Sequence, residues 1–84
     1  MFQIDVEGFG GRVRSMREAR GVSVRMLARQ AQVPHPTISR LENTKGREPS
    51  LKVAARLAVA LGVSLDYLAG LYLPPAHDSE PRSP

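Results

Sequence analysis

The sequence has no cysteine, which excludes a disulfide framework, a thiolate metal site and a cysteine nucleophile. That suits a reducing compartment, and a cytoplasmic location is the expectation. No run of about 18 apolar residues occurs, so no membrane-spanning helix is expected. The N-terminus carries Asp5 and Glu7 and lacks a basic stretch ahead of an apolar one, so it does not read as a secretory signal. Histidine is scarce, with two residues. His35 has only His77 as a histidine partner, in a proline-rich tail, so neither a metal nor a cofactor is expected. Thr37 and Ser39 carry hydroxyls with no histidine and carboxylate at reach, and the carboxylates are scattered, so no enzymatic activity is expected.

What is present is 42% apolar and 24% charged residues over 84 positions. That fits one small globular domain with a marginal core, too small for a deep enclosed active site. The charge is uneven. Residues 9–71 hold eleven Lys/Arg against four Asp/Glu, a surplus of seven, whereas residues 1–8 and 72–84 carry −2 and −1. A basic body with acidic ends points to a polyanionic partner, although solubility alone gives the same pattern.

Along the chain, Phe2, Ile4 and Val6 alternate with polar residues at a strand period. A lone strand in a helical chain has nothing to pair with, so residues 1–8 read as a leader or as an arm for a second copy. Gly8-Phe9-Gly10-Gly11 reads as a break. A first helix is expected over Arg12–Arg20, with Phe9, Val13 and Met16 on one face and Gly21 as its stop. Ser23 caps a second helix whose apolar stripe is Leu27, Ala28 and Ala31. Gln32-Val33-Pro34 is a turn. His35 is expected at or near the N-cap of a third helix, with Pro36 at about its first position, and that helix runs to about Asn43. A polar loop, Thr44 to Pro49, leads to a fourth helix, Leu51 to Leu61, capped by Ser50 and ended by Gly62. Ser64 caps a short fifth helix through about Gly70. Pro74 onward is proline-rich and polar and reads as a disordered tail.

The second and third helices, from about Ser23 to Asn43, are joined by too short a turn for an antiparallel hairpin. They must cross steeply, which throws the third helix outward. Ala28 supplies the small residue where the two touch, Val33 plugs the turn, and Ile38 and Leu41 anchor the outer helix. His35, Pro36, Thr37, Ser39, Arg40 and Asn43 then face solvent. One is cationic, none is acidic, and their short hydrogen-bonding heads suit base edges and phosphates.

From Arg12 to Leu68 the chain resembles the phage-repressor and Cro-like (Cro/C1-type) helix-turn-helix domains of the xenobiotic-response-element class. The likeness lies in Arg17-Glu18-Ala19-Arg20-Gly21-Val22-Ser23, Leu27-Ala28, Thr37-Ile38-Ser39-Arg40-Leu41-Glu42-Asn43, Arg47-Glu48-Pro49-Ser50-Leu51 and Leu61-Gly62-Val63-Ser64-Leu65-Asp66. The resemblance implies an all-α, compact five-helix, lambda-repressor-like domain over residues 9–71, between a leader or dimer arm (1–8) and a tail (72–84). It implies base contacts from His35, Pro36, Thr37, Ser39 and Arg40, with Arg40 the candidate for a bidentate contact to guanine. It implies phosphate contacts from the start of the second helix (Val24, Arg25) and from Asn43, Lys45 and Arg47. It also implies an Arg17–Glu42 bridge between the first and third helices. The chain departs from the family in three places. Val24 stands where glutamine is usual and has no polar side chain for a phosphate, a task that falls to Arg25. Gln32 replaces the turn glycine, and Pro36 offers only apolar contact. More of the specificity then rests on Arg40 and on DNA shape.

The function implied is a sequence-specific, DNA-binding transcription regulator or repressor. The apolar surplus of Val53, Val59, Val63 and Leu71-Tyr72-Leu73 suggests a homodimer joined through the fifth helix and its flank, helped by the Phe2–Val6 arm. Two alternatives stand beside it: an antitoxin that binds a toxin protein and regulates its own operon, and a protein-interaction module without DNA binding.

Overall fold

The computed structural model describes residues 3–72, with the backbone alone at Gln3, Ile4 and Tyr72. Phe2, Leu73, His77 and the tail from Pro74 lie outside that range. Five helices make the fold, as the all-α expectation has it: α1 (Phe9–Ala19), α2 (Val24–Ala31), α3 (His35–Asn43), α4 (Leu51–Leu61) and α5 (Leu65–Ala69). Serine caps three of them. Ser23, Ser50 and Ser64 each accept from the backbone N–H three residues on, at 3.0, 3.1 and 3.0 Å, satisfying donors that a helix start leaves free.

Phe9, Val13, Leu27, Ile38, Leu57, Leu61 and Leu68 are fully buried and bring all five helices onto one core. Each contributes roughly 1.5–3 kcal/mol of burial. Val53 and Val63, expected to be surplus apolar surface, are instead half-buried against this core, whereas Val59 is 82% exposed.

The first helix begins earlier than the glycines suggest. Gly10 and Gly11 lie within α1. A Cβ at Gly10 would sit 2.6 Å from the Leu41 carbonyl carbon, with the carbonyl oxygen closer still, so this glycine permits α1 and α3 to touch backbone to backbone. Glycine that looks like punctuation in one dimension is a contact in three.

The N-terminal segment also finds a partner within the chain. Strand β1 (Gln3–Ile4) pairs antiparallel with β2 (Leu71–Tyr72), Gln3 opposite Tyr72 and Ile4 opposite Leu71. The Asp5 N–H extends the ladder to the Gly70 carbonyl at 2.8 Å. The expectation of an unpaired leader or a free arm is thereby corrected for Gln3–Ile4. Gly70, with φ +70°, turns the chain out of α5 and back beside the start of α1. Arg12 holds the junction, donating to the Leu68 carbonyl at 3.0 Å, to the Asp5 carboxylate at 3.2 Å and to the Asp5 carbonyl.

Candidate nucleic-acid interface

The turn between α2 and α3 sets the interface. Gln32 ends α2 in the left-handed conformation, φ 57° and ψ 46°, the only non-glycine with positive φ among the described residues. Val33 then turns inward, buried, with its N–H on the Ala28 carbonyl at 3.1 Å. Ala28, Val33, Ile38 and Leu41 all point into the core, as their spacing requires. Pro34 serves as the N-cap of α3, and His35 is its first residue. The helix thus starts one residue ahead of the expected register, and Pro36 falls at the second position. There its missing N–H is still one of the four that a helix start leaves unpaired, so no helical hydrogen bond is lost.

With its inner side anchored, α3 presents the other side outward. His35, Pro36, Ser39, Arg40 and Asn43, joined by Thr44, line one shallow open depression. Pro36, Arg40 and Asn43 are exposed, and His35 and Ser39 are half-buried. Thr37 is half-buried too but lies outside this set. Arg40 enters no ion pair among the described residues, so its fork of donors is available for a planar acceptor pair. Asn43 is different. Its Nδ2 donates to the Ser39 carbonyl at 2.8 Å and to the Ser39 hydroxyl at 3.3 Å, so it must release Ser39 before it can donate to a phosphate.

Around this face, Arg25, Lys45 and Arg47 are exposed cations. Val24 is half-buried against the core. What it offers a phosphate is therefore backbone at the start of a helix, with Arg25 beside it. Lys45 shares a second hollow with Asn43, Thr44 and two acids, Glu7 and Glu42.

The Arg17–Glu42 bridge is present and closes α1 onto the end of α3. Arg17 Nε donates to Glu42 Oε2 at 2.8 Å, and Nη2 to Oε1 at 2.9 Å. A third bond runs from Nη1 to the Val22 carbonyl at 2.9 Å. The side chains are 13% and 4% exposed. The hydrogen bond to Glu42 is the largest influence raising the Arg17 pKa, against the opposing effect of burial. Two further residues hold this framework, Arg12 by its bonds to Leu68 and Asp5 and Gly10 by its approach to Leu41, and neither spacing nor charge marks these contacts in the sequence.

A short-turned pair of crossing helices whose second member turns outward a face that carries Arg40 and no acid defines a helix-turn-helix domain. The helix-turn-helix domain family model matches residues 9–71, and the chain belongs to that family, in its Cro/C1-like, xenobiotic-response-element form. An uncharacterized HTH-type transcriptional regulator of Mycobacterium tuberculosis, Rv0474, is 40% identical over 76 residues, which cover 87% of this chain and 53% of the relative. The chain thus spans about half the length of the curated relatives it matches. Among solved structures, the restriction-modification controller protein C.AhdI of Aeromonas hydrophila superposes with a TM-score of 0.67 at 32% identity, covering 76% of this chain and 96% of that one. The biofilm master regulator SinR of Bacillus subtilis, solved in complex with DNA, superposes at 0.68 with 28% identity, covering 71% and 95%. No helix among the described residues is long and apolar enough to cross a membrane.

Proposed function

We propose that this chain binds double-stranded DNA as a transcription regulator, with α3 in the major groove. The observation that carries this reading is the outer side of α3, uncovered among the described residues, where Arg40 is exposed and enters no ion pair with them, between two residues sunk in the core, Ile38 and Leu41. His35, Pro36, Thr37 and Ser39 read the remaining base edges with Arg40. Arg25, the α2 start at Val24, Asn43, Lys45 and Arg47 hold phosphates on either side. The SinR complex with DNA supports the same partner here. The site of action is then the cytoplasm, and the chemistry is recognition, with no catalytic step.

A single α3 covers few base pairs, so the active species is a two-fold dimer with half-sites roughly 34–36 Å apart. Exposed Tyr67 on α5 and Leu51 at the start of α4, 46% and 75% exposed, supply apolar surface for it. Sedimentation equilibrium at tens of micromolar checks the dimer, and a monomer throughout contradicts it.

DNA reading itself is tested by selecting duplexes from a random pool and titrating salt. The expected result is a defined sequence motif whose affinity falls steeply with salt, with a log–log slope of about −0.9 per phosphate neutralised. No enriched motif and no salt dependence would favour the protein-interaction alternative.

A further inference from the structure

We infer that Gly10, on a helix that is not part of the helix-turn-helix pair, is a positioning residue that sets the pose of the recognition helix; this rests on the DNA-reading role proposed for α3. A glycine within a helix is ordinarily a weak point, and α1 carries two in succession, at the second and third positions of its first turn. The two are not alike. Gly11 faces open space, with nothing within 4 Å of an added Cβ, whereas a Cβ on Gly10 would meet backbone: the Leu41 carbonyl, and the Glu42 Cα at 3.3 Å. Backbone atoms have no rotamer by which to move aside. The contact opens only if α1 and α3 separate by more than about 1 Å.

That separation falls on one end of α3. Its N-terminal end is fixed by the α2–α3 turn, through buried Val33 and Ile38. Its C-terminal end is fixed from α1, at Gly10 against Leu41 and by Arg17 against Glu42. Pushing α1 off at Gly10 tilts the segment that carries Arg40, Asn43 and Lys45 while leaving His35 and Pro36 nearly in place. A bidentate contact depends on distance and angle together, so Arg40 loses its register first.

The test compares Gly10→Ala, Gly11→Ala and the double variant, using a selected duplex as the probe. Both exchanges replace a first-turn glycine by alanine and so change intrinsic helix propensity in the same direction. Gly11→Ala is expected to raise the melting temperature and leave DNA affinity unchanged. Gly10→Ala is expected to weaken DNA binding at least about tenfold at a temperature where circular dichroism shows it folded. Adding Gly11→Ala should recover melting temperature without recovering affinity. Gly10→Ala placed on Arg40→Ala should lose less than the two single losses combined, because the Arg40 contact it disturbs is already gone. Without DNA, amide chemical shifts of Gly10→Ala should change along Leu41–Lys45 more than at His35–Thr37. Wild-type affinity in folded Gly10→Ala, affinity that returns with melting temperature in the double variant, or shifts confined to α1 would overturn the inference. So would failure of both Gly10 variants to fold in the cold, which would make the glycine a requirement of the fold and not of the pose. If the wild type selects no duplex, the reading of α3 fails, and the shift pattern still decides whether Gly10 sets its pose.

Discussion

Removing the Glu42 carboxylate tests how the recognition helix is held. In Glu42→Ala, Arg17 loses two of its three hydrogen-bond partners and keeps only the Val22 carbonyl. Stripping one member from a buried pair costs roughly 3–5 kcal/mol. The Arg17 side chain is 13% exposed, so water partly replaces the carboxylate, and about 2–3 kcal/mol is expected. For a domain of this size, whose whole stability is of order 4–12 kcal/mol, that lowers the melting temperature by roughly 10–20 °C. Glu42→Gln keeps the shape and one acceptor and should cost about 1–2 kcal/mol. Arg17→Met combined with Glu42→Leu removes both charges and should return to within about 1 kcal/mol of wild type. Urea unfolding followed by circular dichroism reads all three. The bond to Glu42 raises the Arg17 pKa. Its stabilisation is therefore complete below the ordinary guanidinium range and fades only as pH climbs through the raised value, so no Arg17-linked change appears near neutral pH. A loss under about 0.5 kcal/mol in Glu42→Ala, or strict additivity of the Arg17 and Glu42 substitutions, would refute the view that this pair fixes α3.

Other substitutions separate fold from recognition. Arg40→Ala should weaken binding to a selected duplex by about 1–3 kcal/mol and blur one base position while leaving the melting temperature nearly unchanged, measured by fluorescence anisotropy and a second selection. Lys45→Ala and Arg47→Ala should each flatten the salt dependence by about one unit of slope without altering the selected motif. Gln32→Gly should stabilise the domain by roughly 0.5–1 kcal/mol in urea unfolding, because Gln32 holds a left-handed backbone that glycine adopts freely. Ser23→Ala should cost about 1 kcal/mol by removing the cap on the Met26 N–H.

The helix-turn-helix was legible because its constraints are local. Ser23, Ser50 and Ser64 mark helix starts by their side-chain chemistry, and Gly21 and Gly62 mark ends by their freedom at positive φ. Ala28, Val33, Ile38 and Leu41 recur at the spacing that one buried face demands. The Arg17–Glu42 bridge joins residues 25 apart in sequence, and only the family resemblance brought it forward. What escaped was set by contacts between distant segments. Gly10 reads as a breaker until α3 is seen to lie against it. Residues 1–8 look unpaired until Gly70 brings Leu71–Tyr72 alongside Gln3–Ile4. Arg12 looks solvated until the Leu68 and Asp5 oxygens converge on it. The α3 register slipped by one because a proline biases its predecessor without forbidding helix there; the first helical turn tolerates both His35 and Pro36.

Amide chemical-shift mapping on isotope-labelled protein, titrated with a selected duplex, asks most directly whether α3 reads DNA. The shifts should cluster at Val24–Arg25 and from His35 through Arg47, and leave exposed Val59 and Arg14 unmoved. Shifts centred on α4 and α5, with Thr37, Ser39 and Arg40 silent, would show that the chain meets its partner through another face.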